Sequence, residues 1–275
     1  MTIRRLCVLG AGNIGRALLS GLMRAGTRAE QLSVGEHLPA AREALARELG
    51  ITAACDNEAA TAGAEVVVLA VKPQEAQAVL APLVPALAAA RPLIISVLAG
   101  TRVMDLEAWC GSEVPVVRAM PNRPALLGAG ISGMYAPLKV NAAQRSTAEA
   151  VLRAVGEVVW VATEDTLDVV TALSGSGPAY FFLLAELMAE AGQQLGLEHA
   201  VAQRLATVTL YGSGLLAHAE GAELARLRAE VTSRGGTTEA ALRVFEGGGL
   251  RKLVAQALAA AAARGRELAS ASPRS

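Results

Sequence analysis

The sequence predicts an α/β part followed by an all-α part: an N-terminal Rossmann unit, with a doubly wound parallel sheet, and then a helical C-terminal half. Three observations lead there. Short apolar runs and helical stretches alternate through the first half with a period of about thirty residues, the pattern of right-handed βαβ units. A glycine-rich loop, Gly10 to Gly15, ends the first run and opens a helix. After Glu164 the strand signal stops and only helical periodicity remains.

Residues 3–9 are apolar and halt at Gly10, as a buried parallel strand does. Ile14, Leu18, Leu19 and Leu22 then share one helical face, closing near Gly26. Residues 32–34 read as a second strand and 39–49 as a second helix; the β-branched run 65–71 is the strongest strand, followed by 93–98, 114–118 and a last strand-like piece at 156–162. Beyond it Tyr180, Phe181, Leu184, Leu187, Met188, Ala191 and Leu195 recur at helical spacing, a periodicity that continues through Leu205 and Leu227 to 250–258. The expected domains are therefore 1–163 and 164–275. Several of these later helices lack a polar face, and a helix apolar on most sides is buried on most sides, so the second half is expected to form a subunit interface. Residues 269–275 read as a frayed tail.

Composition narrows the function. Apolar residues make up 53% of the 275 and aromatics only 3%, so Ala, Leu and Val must fill the core. Lys plus Arg and Asp plus Glu balance at 25 each, which leaves no basic stripe for nucleic acid. Cys7, Cys55 and Cys110 are far apart and odd in number, and His37, His199 and His218 share no ligand spacing. Neither a disulfide framework nor a metal site is expected. The stretch 78–100 is apolar but is broken by Pro82, Pro85, Arg91 and Pro92, and the N-terminal apolar run is too short for a signal peptide. A cytoplasmic protein without membrane partners is expected.

Gly10-Ala11-Gly12-Asn13-Ile14-Gly15 is a G-x-G-x-x-G in its proper strand-to-helix context. Gly10 permits the tight turn, Gly12 lets backbone approach a pyrophosphate, and Gly15 lets helix and strand pack closely. Glu36, 21 residues on from Gly15, stands where a carboxylate accepts from adenosine ribose hydroxyls and repels a 2′-phosphate. With Arg42 the nearest arginine downstream, this favours NADH or dual use; a solvated loop acid is the competing reading of Glu36. Lys72, in Val71-Lys72-Pro73-Gln74, ends the strongest strand, where ligands of open α/β sheets lie. It faces either cofactor or solvent. Far down the chain, 231–238 places two glycines and two threonines at a helix start, a cradle of donors suited to a small carboxylate, unless Thr237 or Thr238 serves only as an N-cap.

Five blocks in order support one resemblance: the glycine loop, Ala70-Val71-Lys72-Pro73, Arg118-Ala119-Met120-Pro121-Asn122 with Pro124-Ala125-Leu126, Leu173-Ser174-Gly175-Ser176-Gly177-Pro178-Ala179-Tyr180, and V-T-S-x-G-G-T-T-E-A-A-L-R-V-F-E from Val231. Over about residues 5–268 the chain resembles the Δ1-pyrroline-5-carboxylate reductases. The resemblance implies reduction of that cyclic imine to L-proline by NADPH or NADH, the last step of proline synthesis. It also implies a helical dimerisation domain and a homodimer or a larger homo-oligomer such as a decamer. By position it assigns Leu9, Gly10, Ala11, Gly12, Asn13 and Ile14 to the pyrophosphate, and Glu36 and Asn57 to the adenosine ribose. Ala70, Val71, Lys72, Pro73, Val97, Leu98 and Ala99 fall on the nicotinamide side. Ser233, Gly236, Thr237 and Thr238 take the substrate, with Thr238 as the residue that orients the imine nitrogen and Glu164 as a substrate-side acid, a helix-capping or solvated acid being its competing reading.

Three positions depart from the family form. Arg234 stands for the usual proline, Arg123 for the usual threonine after Asn122, and Glu230 where some relatives carry a neutral, cofactor-facing residue. Either arginine attracts an anion or faces solvent. The rival readings are another imine reductase or a β-hydroxyacid dehydrogenase, and a non-catalytic nucleotide- or vitamin-cofactor-binding protein. A hydroxyacid dehydrogenase needs a catalytic lysine on the helical domain, and the predicted helical half holds only Lys252, late in the chain.

Overall fold

Eight strands form one sheet: β1 (Leu6–Leu9), β2 (Leu32–Gly35), β3 (Ala53–Ala54), β4 (Val66–Leu69), β5 (Leu93–Ser96), β6 (Val116–Met120), β7 (Gly130–Tyr135) and β8 (Gly156–Trp160). Their order is β3-β2-β1-β4-β5-β6-β7-β8. Every neighbouring pair is parallel except β6 with β7. The computed structural model describes residues 3–219 and 223–270. They fall into two compact units, one running up to Gly175 and resumed from Ala261, the other Ser176–Ala260.

The first unit is built on the sheet, with α1 (Asn13–Arg24), α2 (Pro39–Leu49), α3 (Asn57–Thr61), α4 (Ala76–Leu80), α5 (Val84–Ala90), α6 (Val103–Cys110), α7 (Ala142–Arg153) and α8 (Thr166–Val170). Side chains alternate across a strand, and the apolar runs therefore serve two cores. Leu6, Val8, Val66, Val68, Leu93 and Ile95 enter one with Leu18, Leu19 and Leu22 of α1. Cys7, Leu9, Val67, Leu69 and Ile94 enter the other with Leu80, Leu83 and Leu106. Each fully buried Leu or Ile here contributes about 2 kcal/mol of burial.

The strands expected from the sequence are present with ends shifted by a few residues. Two elements were not anticipated. β3 has only two residues. β7 carries Gly130 and Gly133 within six residues, which dilutes its β signal. Gly133 is there for space, because a Cβ on it would lie 2.5 Å from Val170 Cγ1. α7 announces itself by a capping box: Asn141 Oδ1 accepts from Gln144 N–H, and Gln144 Oε1 accepts from Asn141 N–H.

The second unit is helical, with α9 (Gly177–Gln194), α10 (His199–His218), α11 (Leu224–Glu230) and α12 (Thr237–Gly247); α13 (Leu250–Ser270) starts in this unit and ends in the first. Its own core is small, built on Ala189, Ala202 and Ala206. Phe181, Leu184, Leu205, Val208, Tyr211 and Leu216 stay exposed. A groove of about 620 Å³ runs between Phe181, Leu184 and Met188 on one side and Leu210, Leu227 and Val231 on the other. The expected tail is shorter than the sequence suggested: Ala269 is helical and buried, close to Gly100, and 271–275 lie outside the described residues.

All three cysteines are free. Burial pushes the Cys7 thiol up to about 12 and the Cys110 thiol to about 11. A titration of the native protein with a thiol-disulfide reagent at pH 8 is expected to release one fast equivalent, from exposed Cys55, and two more only after denaturation. A fast second equivalent would contradict the packing of β1 or α6.

Candidate functional site

The carboxyl ends of β1, β4 and β5 lie side by side, since Leu9 pairs with Leu69 and Leu69 with Ser96. The loops that leave them converge. Ala70 N–H donates to Leu9 O at 2.8 Å and Val97 N–H to Leu69 O at 3.1 Å. Gly10 has φ 95° and comes so near the second loop that a Cβ would lie 2.8 Å from the Ala70 carbonyl carbon. Only glycine meets both conditions. One turn later, a Cβ on Gly15 would strike the Gly10 carbonyl oxygen.

Between them Gly12 is the N-cap of α1. A Cβ on it would meet nothing within 4 Å. No side chain caps α1, and its first turn holds no acid. The leading N–H groups of a twelve-residue helix are thus left open to an anion, beside a free volume that lets a pyrophosphate approach the backbone. Within the assigned run, Leu9 and Ala11 are core residues, whereas Gly12 and Asn13 are exposed.

Glu36 is not a solvated acid. It is only 7% exposed, and both carboxylate oxygens are engaged: Oε2 accepts from Ala11 N–H at 2.9 Å and Oε1 from Leu38 N–H at 2.8 Å. The carboxylate therefore clips the glycine loop to the turn after β2. Asn57 flanks it, with Oδ1 packed where a side chain on Gly35 would stand. Arg42 Nη1 donates to the carbonyls of Glu36 and His37 at 2.9 and 2.8 Å.

On the other side of β1, Val97 is half-buried and Ala99 exposed, while Leu98 is 3% exposed and belongs to the core. Lys72 is exposed and stands 3.8 Å from Glu75.

Glu164 belongs to a charged cluster that sequence reading did not assemble. Its Oε1 accepts from Arg118 Nη1 at 2.6 Å and from Val103 N–H, the first residue of α6, at 2.7 Å. Arg118 is 4% exposed in β6, an arginine within an otherwise apolar strand, and that interruption was the available signal. Arg102 bonds Asp165 at 2.5 Å and Asp168 at 3.2 Å. Burial opposes the Arg102 charge, but the bond to Asp165 and the nearby Asp168 and Glu164 outweigh it and raise its pKa above the ordinary value.

In the second unit, Ser233 to Thr238 leads into α12. Its N-cap is Gly236, not a threonine, and no side chain caps the helix. Thr237 and Thr238 are the first two helical residues, so their hydroxyls are not consumed in capping. Gly235 has φ 72° and its N–H donates to Glu239 Oε2 at 2.8 Å. A side chain on Gly236 would collide with Ser233 Oγ, so glycine keeps the serine hydroxyl against the helix start. Ser233 and Thr237 are exposed and Thr238 is half-buried. The glycine loop and this loop belong to different units. Among the described residues no group of three or more His, Cys, Asp or Glu could hold a metal ion.

Gly10→Ala adds a methyl group against the Ala70 backbone and strains φ, and it is expected to weaken NADH and NADPH binding at least about tenfold. Titration of dihydronicotinamide fluorescence measures this, and retention of wild-type affinity would remove Gly10 from the nucleotide site.

Residues 164–268 match the family model for pyrroline-5-carboxylate reductase dimerisation, and residues 5–100 match a model described as NADP oxidoreductase, coenzyme F420-dependent. The pyrroline-5-carboxylate reductase of Pseudomonas aeruginosa is 46% identical over 269 residues, covering 98% of each chain. The structure of a pyrroline-5-carboxylate reductase from Coxiella burnetii superposes with a TM-score of 0.93 at 38% identity, over 97% of this chain and 99% of that one. A Plasmodium falciparum pyrroline carboxylate reductase with NADP bound gives 0.83 at 27% identity, over 98% and 100%. With this agreement along nearly its whole length, the chain belongs to the pyrroline-5-carboxylate reductase family.

Proposed function

We infer that this chain reduces Δ1-pyrroline-5-carboxylate to L-proline with NAD(P)H, and that the loop from Ser233 to Thr238 receives the substrate. The uncapped start of α12 carries this reading: a helix N-terminus with three hydroxyls around it matches a small carboxylate beside a ring nitrogen. NAD(P)H supplies the hydride that becomes the new C–H bond, and a proton completes the N–H bond.

The chain's own work is binding and orientation. The α1 N-terminus and Gly12 hold the pyrophosphate, while Glu36 and Asn57 border the adenosine ribose. Ala70 to Pro73 with Val97 and Ala99 line the nicotinamide side. Leu98 is part of that wall only through its backbone, because its side chain is buried. Ser233, Gly236 and Thr237 take the carboxylate. Thr238 presents its hydroxyl to the imine nitrogen, fixes the face presented to the hydride and helps carry the proton. An imine is already electrophilic, so placing its carbon at reacting distance and excluding water supplies most of the acceleration. Glu164 acts on the substrate side as a carboxylate fixed by one oxygen: Oε1 is held by Arg118 and Val103 N–H.

The reading includes a homodimer, extended in a larger ring such as a decamer, in a reducing cytoplasmic setting that suits three free thiols. Support for the dimer lies in the second unit, where a small alanine core leaves large apolar side chains exposed on α9 and α10. The stretch Thr166–Gln194 is long and apolar enough to cross a membrane by length and composition. The groove beside it, lined by α9, α10 and α11, favours a second copy of the chain as its cover. Leu184→Glu places a charge in that groove and is expected to shift the assembly toward monomer in analytical ultracentrifugation; an unchanged mass would exclude the groove from the interface.

Absorbance at 340 nm with Δ1-pyrroline-5-carboxylate tests the reaction, and no turnover with either NADH or NADPH would overturn it. Thr238→Ala is expected to lower kcat/KM by about a hundredfold or more while nucleotide affinity stays intact, as loss of a hydrogen bond made to the reacting nitrogen requires. An unchanged rate would remove Thr238 from the site.

A further inference from the structure

The turn that follows β2 carries a cation whose placement alters the meaning of Glu36. A carboxylate at this position usually points at the ribose and repels a 2′-phosphate. Here the carboxylate is turned inward. It is 7% exposed, and the N–H dipoles of Ala11 and Leu38 each meet one of its oxygens. Both of its oxygens are engaged by the protein's own loops.

Arg42 is arranged in the opposite way. Nη1 uses both hydrogens on the carbonyls of Glu36 and His37, which anchors the guanidinium on the turn. A guanidinium has five N–H donors; with those two engaged, three remain, on Nη2 and Nε, and none has an acceptor among the described residues. The group is half-buried, in the first turn of the eleven-residue α2, whose N-terminal dipole also favours an anion. α2 has no acid in its first turn and no side-chain cap. The nearest imidazole, His37, is exposed beside the same turn, with Nδ1 3.5 Å from Glu36 Oε1.

We propose that Arg42 is the 2′-phosphate anchor of this chain, that Glu36 is a loop clip rather than an excluding acid, and that the site prefers the 2′-phosphorylated dinucleotide. A fixed guanidinium with a free planar edge is the side chain best matched to a phosphate monoester, and anchoring by carbonyls lowers the entropy lost on binding. The expectation of NADH that Glu36 raises on sequence grounds is thereby reversed. The proposal rests on the dinucleotide reading of the glycine loop and is independent of which imine is reduced.

Substrate-free titration tests it, with NADH and NADPH followed by dihydronicotinamide fluorescence and adenosine 2′,5′-bisphosphate used as competitor. Wild type is expected to bind NADPH more tightly than NADH, increasingly so as salt falls. Arg42→Ala should reduce that preference by about tenfold or more, as loss of charged hydrogen bonds implies, and should weaken adenosine 2′,5′-bisphosphate in parallel. Arg42→Lys keeps the charge but not the planar edge, and should restore part of the preference. Glu36→Gln should weaken both dinucleotides together, because it loosens the loop. Three results would overturn the proposal: an unchanged ratio in Arg42→Ala, equal weakening of NADH and NADPH in that variant, or a selective gain of NADPH in Glu36→Gln. Binding of neither dinucleotide by the wild type would overturn the nucleotide site itself, and the proposal with it.

Discussion

The contact on which the first unit depends is the approach of Gly10 to the backbone of Ala70 and Val71. Strand β1 lies between β2 and β4, and the loops leaving these three strands must turn away from one another without colliding. With a Cβ at Gly10 this is impossible, since it would sit 2.8 Å from the Ala70 carbonyl and 2.9 Å from Val71 N. Because the approach is allowed, α1 can begin immediately, its N-terminus lies at the carboxyl edge of the sheet, and Gly12 faces open space. The open start of α1 is therefore a consequence of close backbone packing, and it is made of main-chain groups.

Main-chain sites need something to hold them, and here buried charge does so. Glu36 binds the glycine loop through Ala11 N–H and its own turn through Leu38 N–H. Glu164 likewise joins β6 to α6 through Arg118 and Val103 N–H. A carboxylate withdrawn from water is costly unless its lone pairs are met, and both the buried Glu36 and the half-buried Glu164 are found where two donors converge. Such acids select one loop conformation more than they add net stability. The difference matters for function, because a nucleotide site loses affinity when its loop must be ordered on binding.

How much of this was legible in the sequence follows from which interactions are local. The strands around β1, β4 and β5 were readable because each is a short apolar run ended by glycine or proline, and the run length alone separates strand from helix. β7 was not readable. Its Gly133 exists to admit Val170, a contact from a distant helix that no local pattern records. Thr237 illustrates the same limit. Sequence statistics favour a threonine as N-cap, yet the cap is Gly236, because Ser233 Oγ occupies the space where a side chain at 236 would stand. Glu36 lies beside the glycine loop and its carboxylate meets Ala11 N–H, 25 residues away in sequence, a contact that no local pattern records.

The second unit follows a different rule from the first. In the sheet unit, large side chains such as Leu6, Ile94 and Leu106 are at most 1% exposed. In the helical unit the tightly packed residues are alanines, and the large ones, Phe181, Leu184 and Tyr211, are left outside. A chain with 53% apolar residues but 3% aromatics has few aromatic groups to place, and here it places several of them on the surface. Alanine contacts let α9 and α10 lie close but bury little area per residue, so this pair alone gains little stability. The remaining area is available only when the apolar faces are covered. The loop from Ser233 to Thr238, which we propose receives the substrate, is carried by this unit, so its order is expected to depend on whether those faces are covered.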